Sequence, residues 1–82
     1  MRVICLYGRP GCHLCEDARE AIEGLRAELP PFELREIDIE QDERLLARML
    51  ERIPVVELDG EIVSELSFEA DRLRARMSTL SQ

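Results

Sequence analysis

The sequence predicts an α/β chain in which a four-stranded mixed sheet is packed with three helices in the order βαβαββα. Three observations carry this. Two short apolar runs each precede a stretch of helical periodicity, an Asp-Gly step then joins two β-branched runs, and one more periodic stretch closes the chain. A strand, a crossover helix and a second strand make a parallel pair, whereas a two-residue Asp-Gly turn makes an antiparallel one, so the sheet must be mixed.

Residues 3–7 form a nearly continuous apolar run ending at Gly8, as expected of a strand buried on both faces. Leu14, Ala18, Ala21, Ile22, Leu25 and Leu29 then keep a helical period, with Glu16, Asp17, Arg19, Glu20, Glu23 and Arg26 on the opposite face. This first helix is expected to begin at or just after Cys12 and to stop at Pro30 and Pro31. Phe32, Leu34 and Ile37 lead a second strand that ends near Asp38. Leu45, Leu46, Met49, Leu50 and Ile53 mark a second helix of about ten residues, opened by Asp42 and Glu43 and closed by Pro54. Val55-Val56-Glu57-Leu58 and Glu61-Ile62-Val63 flank Asp59-Gly60, the hairpin signal. Leu66, Ala70, Leu73, Met77 and Leu80 outline a last helix, with Ser67 placed as its N-cap.

The length suits a single domain over residues 1–82, and 45% apolar with 35% charged residues is the balance of a soluble globular chain. No apolar run approaches the roughly 20 residues that cross a bilayer, and the opening apolar stretch is too short for a signal peptide, so the expected compartment is the cytoplasm. A net charge of −7 without any dense basic cluster argues against nucleic acid or an anionic membrane as partner. All 11 basic residues are Arg, and Lys and Asn are absent, a bias that fits a GC-rich genome or a hot habitat. A monomer is expected.

Three cysteines with one close pair do not form the framework of a small secreted protein; a Cys-x-x-Cys in an intracellular chain points to redox or metal chemistry. Residues i and i+3 share a helix face, so Cys12 and Cys15 can bridge, and a helix N-terminus favours a thiolate. Cys12, the first and more exposed, is the expected nucleophile; Cys15, one turn deeper, is the expected resolving thiol. Arg9 lies near enough in sequence to assist. His13 either tunes the thiolate with a protonated imidazole, opposed by Glu16 and Asp17, or is a plain exposed residue of the first turn. Tyr7 either lines the site or is an aromatic core residue, and Cys5 reads as a small hydrophobe in a central strand. One cysteine pair cannot complete a four-ligand zinc site, so a metal or iron-sulfur cluster would require a dimer, and no metal ligand set is assigned. A redox-inert interaction module is the other competing reading.

The run Tyr7-Gly8-Arg9-Pro10-Gly11-Cys12-His13-Leu14-Cys15, with Arg52-Ile53-Pro54-Val55-Val56 before an Asp-Gly hairpin, resembles the glutaredoxin-like branch of the thioredoxin superfamily over nearly the whole chain. The resemblance implies a thioredoxin-like fold and a dithiol disulfide oxidoreductase without a resident cofactor. It also implies a cis Ile53-Pro54 bond beside the sulfurs, with the Ile53 backbone offered to a bound peptide or glutathione. Arg9, Tyr7, His13, Ile53 and Pro54 are thereby candidate substrate-binding residues. The substrate is expected to be a disulfide-containing protein or small molecule, and the reductant a thioredoxin-type donor or glutathione. Two departures stand out. The pair between the cysteines is His13-Leu14 where the family usually carries Pro-Tyr, and Ser64-Glu65-Leu66-Ser67-Phe68 occupies the place of a Gly-Gly pair and Asp that receive glutathione. Glutathione is accordingly expected to be the poorer reductant.

Overall fold

The computed structural model describes residues 1–78. Its elements are β1 (Arg2–Gly8), α1 (His13–Gly24), β2 (Phe32–Asp38), a 3-10 turn (Ile39–Gln41), α2 (Glu43–Met49), β3 (Val55–Leu58), β4 (Glu61–Ser64) and α3 (Ala70–Ser78). The strands lie in the order β2-β1-β3-β4. β1 runs parallel to β2, with Gly8 opposite Asp38, and antiparallel to β3, with Tyr7 opposite Val55. β4 returns antiparallel, with Ser64 opposite Val56. This register brings the ends of β1, β2 and β4 and the start of β3 to one edge of the sheet, where the site is built. The fold is the thioredoxin-like α/β arrangement, a four-stranded mixed sheet in βαβαββα order.

Alternation along β1 divides the core. Ile4 and Leu6 face Ala18 and Ile22 of α1 and Leu73 and Met77 of α3. Tyr7 faces the other way, into a smaller cluster with Ile39, Met49 and Val55. Among the described residues the 3-10 turn, the seven-residue α2 and Ile53 cover this second face around Tyr7, and Val3 and Cys5 stay half-exposed. β1 is therefore not buried on both faces, and Cys5 is not a core residue, because the covering helix is too short to reach it.

Other expectations shift for similar reasons. α1 ends at Gly24, and the chain tightens into i→i−3 bonds, Leu25 N to Ile22 O at 3.0 Å and Arg26 N to Glu23 O at 3.2 Å, well before Pro30. Its buried face is Cys15, Ala18 and Ile22; Leu14 is 54% exposed, and Ala21 is also exposed. α2 is shorter than expected, capped by Asp42 through the amides of Arg44 and Leu45, and Leu50 lies outside it and is exposed. Ile39, fully buried in the 3-10 turn, is a core residue that periodicity did not mark. Ser67 is not the cap of α3, which starts at Ala70, and Leu80 lies outside the described residues.

The hairpin turn has φ of +50° at Asp59 and +91° at Gly60, the two positive values that a type I′ turn requires. Asp59 also clamps the turn to β1: its carboxylate accepts the Val3 amide at 2.9 Å and pairs with Arg2. The Val3 amide, and then Arg2, hold the Asp59 carboxyl below its ordinary pKa of about 3.9. A carboxylate with a depressed folded pKa adds stability that is present above the unfolded value and lost as pH falls through the folded one. Asp59→Asn is expected to be less stable than the parent at pH 7. Urea denaturation repeated down to about pH 2 should show that gap closing.

Candidate active site

β1 stops at Gly8 and the chain reverses over the next four residues. Pro10 and Gly11 take the middle of the turn, with φ +80° at Gly11, and Cys12 N–H donates to Arg9 O at 3.3 Å. Pro followed by a residue of positive φ is the signature of a type II turn. The turn delivers Cys12, in an extended conformation, to the N-cap of α1. There its Sγ accepts the Cys15 amide at 3.1 Å, filling the role usually taken by a serine or aspartate oxygen. The same amide, together with the positive end of the twelve-residue helix, favours the thiolate form of Cys12 once the pair is reduced.

Cys12 and Cys15 are joined as a disulfide with Cα atoms 5.3 Å apart. Cys12 is half-exposed and Cys15 is buried, at 7% exposure. Cys15 lies directly on β1: a Cβ added at Gly8 would sit 3.0 Å from both its Cβ and its Sγ. Position 8 thus admits only glycine without displacing the sulfur. Beside this contact opens a cavity of about 290 Å³ whose lining includes Leu6, Gly8, Cys15, Arg19, Glu36 and Asp38.

Several charged groups around the site are paired with one another. Arg9 pairs with Glu40 of the 3-10 turn, and Arg19 lies 3.7 Å from Glu36. Arg52, just ahead of the Ile53-Pro54 step, donates to Glu65 at 2.6 Å; that bond lowers the pKa of Glu65 and raises that of Arg52. His13 is the exposed first residue of α1.

The Ile53-Pro54 peptide is cis, and Pro54 is buried just ahead of β3. The Ile53 amide donates to Met49 O at 3.0 Å, so its N–H is engaged within the chain. The loop after β4 folds back in the same manner: Leu66 N donates to Arg52 O at 2.9 Å and Ser67 N to Glu65 O at 2.7 Å.

Of the candidate residues, the turn and α1 bring Arg9, Cys12, His13 and Cys15 together, and the register sets Ile53 and Pro54 at the same sheet edge. Tyr7 is placed elsewhere. Strand alternation sends its ring to the α2 face, where its hydroxyl donates to Glu57 at 3.1 Å and burial, with that bond, pushes its pKa up to about 12. Gly8, Glu40 and the Arg52–Glu65 pair escaped the sequence reading. A glycine closing the strand before the cysteine turn was the available signal for the first; the ion pairs join residues with no local spacing between them. Among the described residues, no three His, Cys, Asp or Glu side chains gather as a metal ligand set, and no helix is long and apolar enough to cross a membrane.

A thioredoxin-like sheet whose first helix is capped by one half-exposed cysteine bonded to a buried one defines a CxxC protein of the thioredoxin superfamily. The chain belongs to the glutaredoxin-like domain family (DUF836), whose model matches residues 3–78. It is 29% identical to a glutaredoxin of Vibrio cholerae, covering 82% of this chain and 86% of that one. Among solved structures, a protein from X. campestris is 34% identical with a TM-score of 0.71, over 93% of this chain and 96% of that one. A protein from Nitrosomonas europaea gives 29% identity and a TM-score of 0.81, over 93% and 91%. A thioredoxin from Halobacterium salinarum shares the fold at 23% identity and a TM-score of 0.66, over 99% of this chain and 75% of that one.

The Gly8 contact has a measurable consequence. Gly8→Ala is expected to lower stability by about 1–3 kcal/mol, the usual cost of an extra methyl in a filled space. The loss should be larger in the disulfide form, where Cys15 cannot rotate its sulfur away. Urea unfolding of the oxidised and reduced proteins measures both.

Proposed function

We propose that this chain is a thiol-disulfide oxidoreductase that reduces disulfides of proteins or small molecules through Cys12 and Cys15. The observation that carries the proposal is the half-exposed Cys12 sulfur at the N-cap of α1, held by the Cys15 amide and bonded to the buried Cys15.

The chemistry starts from the reduced pair. The Cys12 thiolate attacks one sulfur of the substrate disulfide; a Cys12–substrate S–S bond forms, the substrate S–S bond breaks, and the departing thiolate takes a proton from water. Cys15 gives up its proton and attacks Cys12 Sγ. The Cys12–Cys15 bond forms, the mixed disulfide breaks, and the second substrate thiol leaves, so two electrons have passed from the pair to the substrate. Burial keeps Cys15 from competing for the first attack, while its position one turn below Cys12 suits it to the second. His13, when protonated, adds positive charge beside the reacting sulfur, and the Ile53 carbonyl beside Pro54 is a contact for the substrate backbone.

An external thiol reductant restores the dithiol by the reverse exchange. The Vibrio cholerae relative bears the name glutaredoxin, which supports the thiol chemistry. The loop that stands in for the glutathione cradle offers no Gly-Gly pair, and its Leu66 and Ser67 amides are already bonded within the protein. A thioredoxin-type dithiol is therefore the favoured donor, acting on a monomer in a reducing compartment such as the cytoplasm.

Cys12→Ser is expected to bring disulfide reduction down to the uncatalysed rate, and Cys15→Ser to accumulate a mixed disulfide with substrate, visible by mass spectrometry. Full activity in Cys12→Ser would remove the proposal. With a coupled reductase assay, turnover should be faster with a thioredoxin-type donor than with glutathione; efficient turnover with glutathione alone would reverse the donor assignment.

A further inference from the structure

In the resolving step Cys15 must lose a proton although it is buried, at 7% exposure. Charge formed on a buried sulfur forgoes the solvation that water would give it, so the proton needs an acceptor within reach. Cys15 rests on Gly8 through both Cβ and Sγ and meets open space at the cavity of about 290 Å³ beside that contact. One molecule takes about 30 Å³ in liquid water, so there is room for several between the sulfur and the opposite wall.

The cavity is charged. Arg9, Glu16, Arg19, Glu36 and Asp38 line it together with Cys15. Arg9 is paired with Glu40 of the 3-10 turn, Arg19 lies 3.7 Å from Glu36, and Glu16 is an exposed residue of α1. Asp38 differs from the other two carboxylates. It is half-buried, and it stands opposite Gly8 in the parallel pair, where paired residues project to the same face of the sheet. That face is the one on which Cys15 lies. Asp38 Oδ1 accepts the Glu40 amide at 2.9 Å, which fixes the carboxylate, and among the described residues Oδ2 has no hydrogen-bond partner and no arginine pairs with the group.

Resting on the thiol-disulfide reading above, we propose that Asp38 takes the proton of Cys15, through water in this cavity, as Cys15 attacks the mixed disulfide. The Cys15 S–H bond and the Cys12–substrate S–S bond break, the Cys12–Cys15 bond forms, and the substrate leaves as a thiolate that is protonated by water. The proton of Cys15 ends on Asp38 and passes from there to solvent; the electron count of the exchange is unchanged. An aspartate is a weak base beside a thiol, so the transfer accompanies the attack, when the sulfur gives up its proton most readily. When a reductant reopens the Cys12–Cys15 bond, the same path returns a proton to Cys15.

The test uses the reduced full chain with Cys5→Ser, so that only the pair reacts, and an equimolar amount of dithiobis-nitrobenzoate. This aromatic disulfide releases one coloured thiolate when Cys12 attacks and a second when Cys15 resolves, and rapid mixing reads the two steps separately. Asp38→Asn keeps an oxygen for the Glu40 amide but cannot take a proton. Its first release is expected at the parent rate, and its second to be slower by at least about tenfold near neutral pH, since cavity water remains as a poorer acceptor. The second release of the parent should be level from about pH 5 to about pH 8, whereas that of Asp38→Asn should climb about tenfold per pH unit until the two curves meet. Asp38→Glu should recover part of the rate, and Glu36→Gln should leave it unchanged. A second release in Asp38→Asn equal to the parent's, a slowing by the same factor at every pH, or an equal slowing in Glu36→Gln overturns the proposal. If Asp38→Asn does not fold, the parent's own profile decides: a second release that climbs through neutral pH overturns the proposal, and a level one that Glu36→Gln leaves in place supports it. A parent that releases no coloured thiolate through Cys12 means that the thiol reading itself has failed.

Discussion

The contact on which the site depends is the seating of Cys15 against Gly8. Because position 8 carries no side chain, α1 can lie so close to β1 that the Cys15 sulfur rests on the strand backbone. That closeness buries Cys15 and, three residues earlier, lifts Cys12 to the helix N-terminus and the sheet edge. The asymmetry between the two sulfurs is thus a packing result. The cysteines are identical in chemistry, and it is the strand below that leaves one half-exposed and the other buried.

The rest of the site edge follows from the strand register. Gly8 opposite Asp38 and Tyr7 opposite Val55 oblige the cysteine turn, the 3-10 turn and the Ile53-Pro54 loop to meet, and Ser64 opposite Val56 adds the loop after β4. These loops come together carrying charges of both signs, and they neutralise one another in pairs. Exposed ion pairs of this kind contribute little to stability. They do leave Arg9 and Arg52 each paired with a carboxylate at this edge.

Much of this was legible along the chain. The order of elements, the Asp59-Gly60 turn and the cysteine pair at a helix start all rest on local signals, and local backbone chemistry obeys them: Asp59 and Gly60 do adopt positive φ, and Cys12 does cap α1. The misreadings share one cause. Leu14, Leu50 and Leu66 fit apolar periods yet stand in water, and Cys5 fits a buried strand yet is half-exposed, because burial depends on whether another element lies opposite. α2 is too short to cover Cys5, and Leu14, in the first turn of α1, lies off the buried face made by Cys15, Ala18 and Ile22.

What the sequence alone determined is the identity and spacing of the cysteine pair, the strand-to-helix step that carries it and the antiparallel hairpin, since each follows from residues within a few positions of one another. The tertiary structure decided which sulfur is shielded, where Tyr7 points, which carboxylates Arg9 and Arg52 pair with and that the Ile53, Leu66 and Ser67 amides are spent. Those properties belong to pairs of residues drawn together from distant parts of the chain, and sequence spacing carries no measure of that distance until the sheet sets its register.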